Sequence, residues 1–91
     1  MTDELHIASL VVHVVPDTLR QVEKALAQVD SGAVHGTHPD GKLVVTLEGP
    51  SAAFIMDQIA KIREIQGVIN VSLVYQHTEP QLSLNEGVAN D

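Results

Sequence analysis

Five histidines and twelve carboxylate side chains are the groups of this chain best equipped to ligate a metal or move a proton, and their spacing favours neither chemistry. His6 and His13 share one β-prone run and His35 and His38 share another. In a regular strand each pair has opposite side-chain parity, so neither converges on one ion. The carboxylates are dispersed: no two fall at strand i, i+2 or helix i, i+4, the spacings that would set up an acid–base pair. Cysteine is absent, which removes disulfides, thiolate metal sites and CxxC redox or metal-carrier chemistry. No GxSxG, HExxH, P-loop or dinucleotide fingerprint is present. The expectation is no catalytic residue and no metal site.

The elements that must position these groups are announced by a near-repeated phrase. Ser9-Leu10-Val11-Val12 returns as Ser72-Leu73-Val74-Tyr75, each in a β-like run, with two amphipathic helical segments flanking a hairpin between them. Alternation along a strand sends Leu10, Val12, Leu73 and Tyr75 to one face and Ser9, Val11, Ser72 and Val74 to the other. The first face is apolar throughout. The second mixes small polar and β-branched side chains, as a surface kept for a partner would.

Leu5 to Val15 reads as the first strand, its even positions Ala8, Leu10, Val12 and Val14 uniformly apolar. Pro16-Asp17-Thr18 opens a helix carrying Leu19, Val22, Leu26 and Val29 on one stripe, and residues 30–32 stop it. The runs 33–38 and 42–48 form a hairpin through Pro39-Asp40-Gly41, since Pro presets φ and Gly accepts positive φ. The first run, with Gly36 and few large side chains, belongs at an edge; Leu43 to Leu47 belongs in the centre. Gly49-Pro50-Ser51 opens a second helix with Ala52, Ile55, Ile59 and Ile62 inward, closed by Gln66-Gly67. Val68 to His77 is the last strand. The domain is expected over residues 1–78, with 79–91 a disordered polar tail.

The order βαββαβ with right-handed connections predicts a ferredoxin-like α/β (α+β) sandwich: a four-stranded antiparallel sheet in the order 4-1-3-2, with two helices on one face. The helix-free face is then open, and the strand register collects on it Ser9, Val11 and His13, then Val44, Thr46 and Glu48, then Asn70, Ser72, Val74 and Gln76. An acylphosphatase-like phosphate loop is disfavoured because the first strand leads into Val14-Val15-Pro16-Asp17, where the acid would repel phosphate.

The formal charge of −7 disfavours nucleic acid and anionic membrane as partners and suits a basic one. Part of that charge, on Glu79, Glu86 and Asp91, is terminal, so the field over the rest is mild. Phe54 and Tyr75 are the only aromatics, too few for a base-stacking platform. The N-terminus lacks the basic and apolar regions of a secretory signal, and no apolar run approaches membrane-span length. The expectation is a cytoplasmic protein without membrane insertion.

Three stretches resemble the NapD family: Ala8-Ser9-Leu10-Val11-Val12, the hairpin segment Gly41-Lys42-Leu43-Val44-Val45-Thr46-Leu47-Glu48, and residues 62–75, ending Gly67-Val68-Ile69-Asn70-Val71-Ser72-Leu73-Val74-Tyr75. The likeness covers roughly residues 6–78. It implies a binding protein and not an enzyme: a cytoplasmic chaperone without a cofactor of its own. Family members recognise the twin-arginine signal peptide of the periplasmic nitrate reductase catalytic subunit and hold the precursor back from the Tat translocase while its molybdenum cofactor is inserted. On this chain the open face read from the strand register is the expected docking site, with Ser9, Val11, His13, Val44, Thr46, Glu48, Ser72, Val74 and Gln76 as the signal-peptide-binding residues: Val11, Val44 and Val74 for the apolar part and Glu48 as a carboxylate for an arginine. Strand addition at the edge of residues 33–38 is the rival geometry. The alternative function is an ACT-like small-ligand-binding regulatory module of the same βαββαβ order.

Overall fold

The computed structural model describes residues 4–29 and 31–80. Four strands, β1 (Glu4–Val14), β2 (Gly32–His38), β3 (Lys42–Gly49) and β4 (Val68–Pro80), and two helices, α1 (Leu19–Ala27) and α2 (Ala52–Arg63), follow in the order β1-α1-β2-β3-α2-β4. The sheet order is β2-β3-β1-β4, with antiparallel pairing throughout. This is the expected ferredoxin-like sandwich.

Alternation along the two central strands explains the core. The even residues of β1, Ala8, Leu10, Val12 and Val14, and the odd residues of β3, Leu43, Val45 and Leu47, are all buried. They form one cluster with Val22 and Leu26 of α1, Ile55, Ile59 and Ile62 of α2, and Val71 of β4. Each fully buried aliphatic side chain contributes about 1.5–3 kcal/mol.

The helices start for identifiable reasons. A 3₁₀ turn, Pro16–Thr18, leads into α1, with Asp17 acidic in its first turn. The hydroxyl of Ser51 accepts a hydrogen bond from the Phe54 N–H at 3.0 Å, capping α2. Gly41 takes φ 101° in the β2–β3 turn, and a Cβ there would collide with the Val14 carbonyl oxygen, which packs against the turn.

β4 runs to Pro80, with Glu79 opposite Leu5 and Pro80 opposite Glu4. The ordered sheet therefore continues past Thr78, because β1 is long enough to supply partners. The expected disordered tail falls, from residue 81 onward, outside the described residues.

Candidate binding face

The helix-free face of the sheet is built on the odd residues of β1. Val11 lies opposite Val44 on β3 and Ser72 on β4, Ser9 opposite Thr46, and His13 opposite Lys42 and Asn70. Glu48 lies opposite Ile7. Seven of the expected residues, Ser9, Val11, His13, Val44, Thr46, Glu48 and Ser72, therefore share this surface. Val44 is 45% exposed at its centre, an apolar side chain with no helix to cover it.

Gln76 does not join them. Leu10 pairs with Leu73 but the preceding Ser9 pairs with Tyr75, so Val74 is an extra residue without a ladder partner. Such a bulge reverses the face of every residue that follows. Gln76 thereby comes opposite the buried Ala8, on the helix side, while Tyr75, His77 and Glu79 come opposite Ser9, Ile7 and Leu5 on the open side. The expectation that Tyr75 would share the apolar inner face is overturned for the same reason. Val74 itself is 65% exposed at the bulge. Leu73 keeps its inward register but remains 49% exposed, since it sits on an outer strand.

A second bulge alters the histidines. Val34 pairs with Val45 and Gly36 with Val44, leaving His35 as the extra residue of β2. His35 Nε2 and the Thr46 hydroxyl share a hydrogen bond of 2.7 Å, and His38 pairs with Lys42. Both histidines thus belong with the open face, against the opposite parity expected of a regular strand. His6 and His13 keep opposite parity. Among the described residues no three His, Asp or Glu side chains group closely enough to hold a metal ion.

Gly36 adds shape. A Cβ built there meets nothing within 4 Å, so its absence leaves a dip beside Val44. The resulting shallow depression of ≈ 380 Å³ is lined by Val11, Val44, Gly36, Thr37, His38, Asp40 and Lys42. On β4, Tyr75 and His77 stack with centroids 6.2 Å apart and planes 15° from parallel. Three ion pairs form among the described residues, all between histidine and carboxylate, and Glu48 is in none of them. A second depression of ≈ 320 Å³ is lined by Ala33, Thr46 and Glu48 with Ser31 and Gly32. The face offers apolar contact, shallow depressions and exposed carboxylates, which suits a guest that is partly apolar and partly cationic.

Tyr75, His77, Glu79, Ile7 and Gly36 are members that sequence reasoning left out. Ile7 was legible from its odd position on β1. The β4 trio was not, because Val71, Leu73 and Tyr75 read as one uninterrupted alternation.

No helix among the described residues is long and apolar enough to cross a membrane. The NapD protein family model matches residues 5–80. The chaperone NapD of Haemophilus influenzae is 29% identical over 77 residues, covering 84% of this chain and 83% of that protein. The chaperone NapD of Escherichia coli K12 is 37% identical over 43 residues, covering 47% and 49%. The solution structure of the E. coli Tat proofreading chaperone protein NapD superposes with a TM-score of 0.75 at 28% identity, covering 85% of this chain and 82% of that one. Nothing in these likenesses favours the ACT-like alternative.

Proposed function

The chain belongs to the NapD family, and from that premise we propose that it is a cytoplasmic Tat proofreading chaperone, a binding protein without catalytic activity. Its guest is the twin-arginine signal peptide of the periplasmic nitrate reductase catalytic subunit. Occupying that peptide keeps the precursor from the translocase until its cofactor is in place.

The observation that carries this reading is the open face itself: the exposed Val44 beside Val11 and the Gly36 dip, and, four residues along β3, the exposed carboxylate of Glu48, which is in no ion pair among the described residues. A signal peptide joins a cationic segment to an apolar stretch of 7–15 residues. From the Ile7 row to the His13 row the face is about 20 Å long, at 3.4 Å per residue. An apolar stretch of that length spans roughly 10–22 Å as a helix but about 23–50 Å extended, at 1.5 and 3.3 Å per residue. A helical guest fits the face and an extended one overruns it. Strand addition at β2 is disfavoured by the His35 bulge, which interrupts the regular ladder of that edge.

Apolar burial supplies most of the affinity, at about 25 cal/mol per Å² before the cost of ordering the peptide. Exposed arginine–carboxylate pairs add about 0.2–1 kcal/mol each. Calorimetric titration with the nitrate reductase signal peptide, its Lys-Lys variant and an unrelated twin-arginine peptide tests the assignment. Tight, selective binding of the first is expected. Absence of binding to all three would overturn it.

A further inference from the structure

The two ends of the open face differ in charge. At one end the row through Ile7 carries Glu48 on β3 and His77 on β4, and Glu79 follows opposite Leu5. His77 Nε2 lies 3.7 Å from Glu79 Oε1, and Tyr75 stacks on His77. At the other end the row through His13 carries Lys42, with His38 on its far side. Asp40 is the acid of the adjoining turn, its carboxylate 3.4 Å from His38 Nδ1. Between these ends lie the rows of Ser9 with Thr46 and Tyr75 and of Val11 with Val44 and Ser72, which carry no formal charge.

We infer that this asymmetry fixes the direction of the bound peptide: the paired arginines lie at the Ile7 end, among Glu48, Tyr75, His77 and Glu79, and the apolar stretch runs over Val11 and Val44 toward Lys42. The inference rests on the proposed reading of the face as the seat of a twin-arginine signal peptide. A guanidinium is planar, so it stacks on an aromatic ring while its N–H groups reach carboxylates at the ring's edge. Tyr75 offers such a ring, and Glu48 in the Ile7 row and Glu79 in the Leu5 row offer carboxylates to the two arginines. The reversed pose would set both arginines against Lys42, a like-charge contact that selects against it. The Val74 bulge brings the β4 residues to the arginine end, since without the extra residue in β4 Tyr75, His77 and Glu79 would turn toward the helices.

Direction is tested with the isotope-labelled full chain and two versions of the peptide, one bearing a nitroxide at its N-terminus and the other at its C-terminus. The N-terminal label is expected to broaden the amide signals of Ile7, Glu48 and His77, and the C-terminal label those of His13, Lys42 and Asn70. The opposite pattern, or equal broadening at both ends by each label, overturns the inference while leaving the chaperone reading intact. Absence of binding overturns both. A second measurement compares Tyr75→Leu with the parent chain: loss of the ring face should weaken the Arg-Arg peptide about two- to five-fold, the size of an exposed cation–π contact, and the Lys-Lys peptide less. An equal loss for both peptides counts against the stacked seat.

Discussion

Tyr75 lies opposite Ser9, although Leu73, two residues earlier, lies opposite the adjacent Leu10. One unpaired residue, Val74, therefore places two neighbouring apolar residues of an apparently regular strand on opposite faces of the sheet. Their places separate accordingly: Leu73 belongs to the helix side and Tyr75 to the open face.

Tyr75 is the single tyrosine of a chain without tryptophan, so its emission reports directly on the open face. A signal peptide lacking Tyr and Trp is expected to shield it from acrylamide quenching. Unchanged quenching at saturating peptide would show that the guest does not cover this part of the sheet.

Val44 and Leu43 are neighbours in sequence with opposite burdens. Val44→Asp, at a 45% exposed position, should weaken peptide binding at least ten-fold, about 1.4 kcal/mol, while leaving stability within roughly 1 kcal/mol. Leu43→Ala, at a fully buried one, should cost about 2–5 kcal/mol in urea unfolding. If the folded Val44→Asp variant bound as well as the parent, the sheet face would not be the docking site.

The glycines divide in the same way. Gly36 has open space around its absent Cβ and no positive φ, so Gly36→Phe should fold normally, fill the dip beside Val44 and reduce peptide affinity. Gly41→Ala should instead destabilise the fold by about 1–3 kcal/mol, because φ 101° and the Val14 carbonyl leave no place for a Cβ. Thermal melts with parallel titrations distinguish the two effects.

Charge reversal at Glu48 should weaken the Arg-Arg peptide several-fold at low salt, and the deficit should shrink as ionic strength rises, since an exposed pair is screened over about 10 Å at 0.1 M. A deficit independent of salt would point to altered packing in place of a lost ion pair.

Ser51→Ala removes the side-chain cap of α2 and should cost about 1 kcal/mol of stability without changing affinity, because that helix lies on the opposite side of the sheet from the proposed guest. An affinity loss beyond the stability effect would implicate the helical layer in recognition.

Much of this molecule was legible in the residues alone. The even positions of β1 and the stripes of both helices demanded one shared apolar layer, and that demand leaves few topologies for βαββαβ. The alternation of the central strands placed Ser9, Val11, His13, Val44, Thr46 and Glu48 together on the helix-free face, where the register of β1 against β3 has them. β1 contributes no extra residue to either ladder and β3 none to its own, so period-two counting holds along both.

The outer strands were decided by tertiary structure. The unpaired residues His35, Ile69 and Val74 all lie on β2 or β4, each bonded to the sheet along one side only, where an extra residue disrupts one ladder and not two. Alternation is a local property of the chain, whereas a bulge depends on how that chain matches its neighbour. Leu73 and Tyr75 look equivalent in sequence, yet the first pairs with Leu10 above the core while the second, with a hydroxyl that needs water or a partner, is turned outward. That choice brought Tyr75, His77 and Glu79 to the face, and only the register of β4 against β1 records it.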